Sequence, residues 1–160
     1  VGKFGDKLIT IPISKRHGIL NQAQSISKGR TNDVGGATEG GIWEFFKNAI
    51  EKKEHWDNIF IYSDQQAGHG GLYGTDRHMK EYNSAGYGCR SSMINVFKLI
   101  QDYRKHVNPK VNVFSIQTSS YDNVLVPEMA YRTSILYGWT GREAVYGKAM
   151  IDIWDSIENR

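Results

Sequence analysis

Apolar residues recur along this chain with two periods, and the switches between them mark out strands and helices. Leu8-Ile9-Thr10-Ile11-Pro12-Ile13 alternates, and Phe4-Gly5-Asp6-Lys7-Leu8 carries a Gly-Asp turn signal between two β-prone halves, so residues 3–14 are expected to be extended. Pro12 lacks a ladder donor, which places its strand at or near a sheet edge. Ile19, Ala23 and Ile26 have helical spacing, predicting a short helix that stops at Gly29. Thr38 is a fair N-cap for a helix from Glu39 to about Lys53, with Ile42, Phe45, Phe46, Ala49 and Ile50 on one face. The run Ile59-Phe60-Ile61-Tyr62-Ser63-Asp64 follows as a strand over 58–63. A further helix is expected from Ser91 or Ser92, burying Met93, Val96, Phe97 and Ile100. Val111-Asn112-Val113-Phe114-Ser115-Ile116 reads as another strand. The last helix, about Arg142 to Ile157, is expected to bury Val145, Ala149, Ile153 and Ile157. Strands alternating with amphipathic helices predict an α/β fold, a mostly parallel sheet with helices on both faces.

Residues 65–90 break the pattern. Gly, Tyr, His and Asn dominate there, as in Gly68-His69-Gly70-Gly71 and Ala85-Gly86-Tyr87-Gly88. A loop of that length inside one domain tends to carry function. Tyr73, Tyr82 and Tyr87 in it, near Tyr131, Tyr137 and Trp139, would make a partner surface if exposed as a cluster; a surface role is expected for those in the loop and a core role for those on strands and helices.

Composition narrows the function classes. The 160 residues are 39% hydrophobic and 23% charged, which suits one soluble globular domain. The net charge of +3 is mild and its basic residues are scattered, unlike the clustered footprint of a nucleic-acid-binding face. A single cysteine, Cys89, rules out an intrachain disulfide framework and a cysteine zinc cage. No apolar run reaches transmembrane length and no signal peptide opens the chain, so the expected setting is cytoplasmic, without a membrane. Because the first residue is Val1 and not methionine, a processed or truncated piece is expected.

The candidate chemistry sits where strands end. A strand ending in Asp64 and a Gly35-Gly36-Ala37-Thr38 opening a helix deliver a carboxylate and a hydroxyl to the same carboxyl-terminal sheet edge, where α/β folds bind ligands. Taken singly, Thr38 serves as a cap and Asp64 as the start of a turn. Together they are hard oxygen ligands suited to a divalent cation, Mg²⁺ first. Ser63 and Asp122 are supplementary candidates, although a turn role suits Tyr121-Asp122-Asn123 better. His69, Asp76 and His78 form a second-choice loop site, without the spacing of a known zinc motif. Ser63 lacks the glycines of a nucleophile elbow, and Cys89 has no partner histidine fixed by the pattern.

These segments resemble the von Willebrand factor type A domain, and more narrowly the one at the C-terminal end of TROVE (Ro-type) RNA-binding proteins. The resemblance rests on Phe4-Gly5-Asp6 through Ile11-Pro12-Ile13, on Gly35-Gly36-Ala37-Thr38, and on Phe60-Ile61-Tyr62-Ser63-Asp64. Tyr103-Arg104-Lys105 running into the strand at 111–116 completes it. It implies a Rossmann-like type A domain over residues 1–160 that is N-terminally incomplete. The family's Asp-x-Ser-x-Ser motif occurs nowhere in the chain, so the first strand and helix are lacking and three metal ligands with them. The absent strand belongs at the sheet's centre. Three outcomes are expected: a strand from another chain, a recruited strand of this chain, or an altered strand order. The resemblance further implies a metal-dependent interaction domain of a ribonucleoprotein protein. Its partner would be a protein or the missing part of its own domain, with RNA held through a separate domain. The alternative is a metal-assisted hydrolase of phosphate esters, using Asp64 and the His69/Asp76/His78 loop.

Overall fold

A computed structural model describes residues 1–27, 34–35, 38–65, 83–85, 92–119, 124–138 and 140–160, with the side chains at 38, 39, 83–85, 92 and 93 outside that description. The central element is a four-stranded sheet. Strand β3 (Asn58–Ser63) pairs in parallel with β6 (Asn112–Gln117), and β6 pairs in parallel with β8 (Thr133–Tyr137). The two-residue β7 (Met129–Ala130) closes the far side antiparallel to β8, giving the order β3-β6-β8-β7. Two small antiparallel pairs stand apart from this sheet. One is the hairpin of β1 (Gly2–Phe4) and β2 (Leu8–Thr10), and the other joins β4 (Asn83–Ala85) to β5 (Ser92–Ile94). The fold is thus α/β with a mostly parallel sheet, as the periodicity predicts. No strand among the described residues lies between the hairpin and β3.

Helices cover both faces. Helices α2 (Thr38–Glu51) and α3 (Val96–His106) pack on one face, where Ile42, Phe46 and Ala49 meet Ile59, Ile61, Val113 and Ile135, with Leu99, Ile100 and Tyr103 from α3. Helix α4 (Glu143–Glu158) packs on the other. There Phe114 stacks between Phe60, at 4.9 Å, and Trp154, at 5.5 Å. Gly147 makes this docking close, since a Cβ on it would lie 3.1 Å from the Phe60 ring. Helix α1 (Ile19–Ser27) has no buried residue.

The hairpin is held by α2. Its Gly5 carbonyl accepts from the Gly41 amide at 2.7 Å, and Glu44 accepts from the Leu8 amide at 2.8 Å. Any side chain at Gly41 would sit 2.7 Å from the Lys7 carbonyl, so only glycine lets helix and turn meet.

Three expectations are corrected. Residues 92–94 form strand β5, and the helix starts later, at Val96, because Asn95 caps it by accepting from the Lys98 amide at 2.9 Å. In α4 the predicted face is the wrong one: Val145, Ile153 and Ile157 are 70%, 51% and 62% exposed and Ala149 is exposed, while Gly147 is buried and Trp154 faces Phe114. Docking through a glycine and an indole lets the helix approach flat aromatic rings, and the aliphatic stripe is left outside. Strand β8 was not anticipated, since its first two buried positions are Thr133 and Ser134.

Tyr103 locks α3 to the segment entering β3. Its buried hydroxyl donates to the Glu54 carbonyl at 2.7 Å and accepts from the Trp56 amide at 2.8 Å, and burial raises its pKa. Tyr103→Phe is expected to cost about 1–2 kcal/mol by leaving both main-chain groups unsatisfied, which urea unfolding would read as a lower midpoint at unchanged slope. An unchanged midpoint would mean that water replaces the hydroxyl.

Candidate functional site

Parallel pairing brings the ends of β3 and β6 to one rim. Ser63 is in register with Gln117, and the Thr118 amide donates to the Ser63 carbonyl at 2.9 Å, so pairing continues to the last residue before Asp64. Helix α2 precedes β3 through the short connection 52–57 and runs back along it. Its 14 residues span about 21 Å and the six of β3 about 20 Å, so its amino terminus reaches the level of this rim. Thr38 opens that helix as its first residue.

Ser63 is buried and shares the α2-facing side with Ile59 and Ile61. Its hydroxyl accepts from the Gln65 amide at 3.0 Å and lies 3.5 Å from a carboxylate oxygen of Asp64, which is half-buried. A hydroxyl that accepts from the Gln65 amide and donates to the Asp64 carboxylate is a poor metal ligand, with one lone pair left to offer.

Gln65 is the rim residue that the sequence did not single out. It is fully buried at φ +68°, a left-handed conformation uncommon outside glycine, asparagine and aspartate. This turn carries its side chain back beneath the strand ends. There its amide oxygen accepts from the Ser115 hydroxyl and from the Leu125 amide, both at 2.9 Å. Its amide nitrogen is buried with no hydrogen-bond partner among the described residues. Gln65 thus fastens the exit of β3 to β6 and to the segment at 124–126. Nothing in its spacing or neighbours signals this role.

Asp122, His69, Asp76 and His78 lie outside the described residues, as do Cys89, Tyr73, Tyr82, Tyr87 and Trp139. Among the described residues, no group of three His, Cys, Asp or Glu side chains could hold a metal. The described oxygen ligands at the rim are the Asp64 carboxylate and the Ser63 hydroxyl, already bonded to each other. They do not make a closed protein cage; they fit only a water-rich Mg²⁺ site that draws most of its coordination from solvent or a partner. Tyr131 and Tyr137 are 54% and 61% exposed, so Tyr137 does not take the core role expected of an aromatic on a strand. No helix among the described residues is long and apolar enough to cross a membrane.

Compared with known proteins, the chain matches no family model, no curated sequence and no solved structure. The chemistry of the rim rests on its own residues.

Proposed function

We propose that this chain is a non-enzymatic interaction domain that engages a protein partner at the carboxyl-terminal rim of its sheet. The observation that carries this reading is the continuous parallel pairing from Asn58↔Asn112 to Ser63↔Gln117, which delivers Asp64 to the carboxyl-terminal rim of the sheet; that Thr38, at the start of α2, joins it there is part of the proposal. A divalent cation held weakly by these two residues would complete its shell with water and with a carboxylate from the partner. The resemblance to type A domains supports this use of the edge, with the family's first strand, first helix and three further ligands lacking. It also suggests a ribonucleoprotein setting, in which a separate domain holds the RNA and this one holds a protein.

Magnesium titration followed by thermal unfolding tests the proposal. A cation that binds only the folded chain stabilises it by RT ln(1 + [L]/Kd), so millimolar Mg²⁺ is expected to raise the unfolding temperature of the natural chain. Asp64→Ala and Thr38→Ala should each abolish that rise. An equal response in all three proteins removes the rim cation. A Mg²⁺-dependent hydrolysis of a phosphate ester that disappears in Asp64→Ala would replace this reading with the hydrolase.

A further inference from the structure

Among the described residues no strand pairs with the outer edge of β3, and that edge lines a cavity. The Asp57 and Ser63 carbonyls accept from the Asn112 and Thr118 amides of the β6 segment. The odd-numbered residues of β3 therefore turn their main-chain groups to β6, and the even-numbered ones turn theirs to the opposite side. At Phe60 that opposite side offers an amide and a carbonyl with no strand beside them among the described residues. Four consecutive residues, 58–61, line a cavity of about 760 Å³. Consecutive residues point to alternate faces, so the space runs along the strand's edge and not over one face. Across it lie Phe4 and Leu8 of the hairpin, and Ile42 and Phe46 of α2 line its apolar side.

We propose that this slot is a docking site for one extended peptide strand of a protein partner, which adds to the edge of β3. The main-chain groups choose the occupant. A hydrocarbon or a lipid tail would satisfy the apolar lining but would displace water from the Phe60 amide and carbonyl without replacing its hydrogen bonds, which costs free energy. An extended backbone supplies an acceptor and a donor in the alternation that a strand edge requires, and its side chains fall alternately on the two faces. Those facing α2 meet Ile42, Ile59, Ile61 and Phe46, so the strand carries valine or isoleucine at every second position. The slot is distinct from the rim at Asp64, and binding here needs no cation.

The test uses a nonapeptide of alternating valine and threonine with lysines at both ends, added to the ¹⁵N-labelled chain. The expected result is one-to-one binding with the Phe60 amide exchanging at least about tenfold more slowly in the complex. Asn58→Pro removes an outward amide at the first residue of β3, where proline is tolerated, and Thr10→Trp fills the slot from an exposed position. Each is expected to weaken peptide binding about tenfold, the scale of one lost hydrogen bond or of a blocked site, with the unfolding temperature kept in Thr10→Trp and lowered in Asn58→Pro, which also loses the side-chain oxygen that accepts from Asn112 at 2.9 Å. If one variant unfolds, the other still decides. The proposal is overturned if the peptide at millimolar concentration leaves the Phe60 amide unchanged. It is equally overturned if anilinonaphthalene sulfonate fills the slot and the peptide does not displace it. Concentration-dependent protection of Phe60 in the chain alone would assign the edge to a second copy and overturn it as well.

Discussion

Phe114→Ala is expected to destabilise the chain by about 4 kcal/mol, the largest effect of any single substitution considered. The ring is fully buried at the middle of β6, between Phe60 on the neighbouring strand and Trp154 of α4, with interplanar angles of 25° and 19°. Truncation removes the apolar area of a whole ring and two stacking contacts, and it leaves a void. The void cannot collapse readily, because Gly147 above has no side chain to fall into it and Phe60 is pinned by the β3–β6 ladder. Urea unfolding would show the loss as a lower midpoint, and the Trp154 environment should become more polar in the folded baseline. Phe114→Leu refills part of the volume and should cost less than half as much. A loss below about 1.5 kcal/mol in Phe114→Ala would show that α4 is not held by this stack.

The second large effect is at Arg132, where substitution by methionine is expected to cost about 2–3 kcal/mol. Its guanidinium is 4% exposed and reaches three residues on two elements. It donates to Glu158 through Nε and Nη2 at 2.9 Å each, to Asp155 through Nη2, and to the Asn112 amide oxygen through Nη1 at 2.9 Å. It thereby ties the last turn of α4 to the start of β6. The figure is at the low end for a broken buried pair, because water reaches Asp155, 53% exposed, and Glu158, 24% exposed. Arg132 also has φ +44°, so methionine keeps the backbone strain and isolates the side chain, whereas glycine would relieve it.

The pH dependence has a definite sign. Hydrogen bonds from Arg132 first, then Tyr131 and Lys110, hold the Glu158 carboxyl well below its ordinary 4.5. A depressed carboxyl stabilises the fold fully above its unfolded value and loses that contribution as pH falls through the folded one. The stability gap between the natural chain and Arg132→Met should therefore be constant above about pH 5 and should shrink on acidification below about pH 4.5. Urea midpoints measured from pH 7 to pH 3 would check this, and a gap that widens in acid would contradict it.

How much was legible in the chain follows from what each segment packs against. Strand β3 was readable to the residue, because it is bounded by polar turns and Ile59, Phe60 and Ile61 form an unbroken apolar run within it. Strand β6 was read within one residue. Strand β8 was missed because Thr133 is buried by bonding and not by hydrophobicity: its hydroxyl takes part in a bond from Arg104 at 3.0 Å and donates to the Tyr131 carbonyl at 3.1 Å. Periodicity cannot see a polar position whose partners come from elsewhere in the fold. The α4 face failed for the converse reason. Four aliphatic residues at helical spacing look like a core stripe, but an indole and a bare glycine suit flat aromatic rings better. At the rim, an apolar run ending in Asp64 and a glycine pair before Thr38 were visible. Gln65 was not, because its importance comes from one backbone angle and from two partners at 115 and 125.

The two borders of the main sheet differ in a way that bears on stoichiometry. On one border β7 is only two residues long and runs antiparallel, a stub too short to template another chain. On the other, β3 is six residues long but faces the hairpin across a bounded gap. Among the described residues, a sheet blunted on one border and faced by a hairpin on the other has room for a single added strand and offers it no successor. Its assemblies should therefore terminate at a pair and should not propagate into fibres.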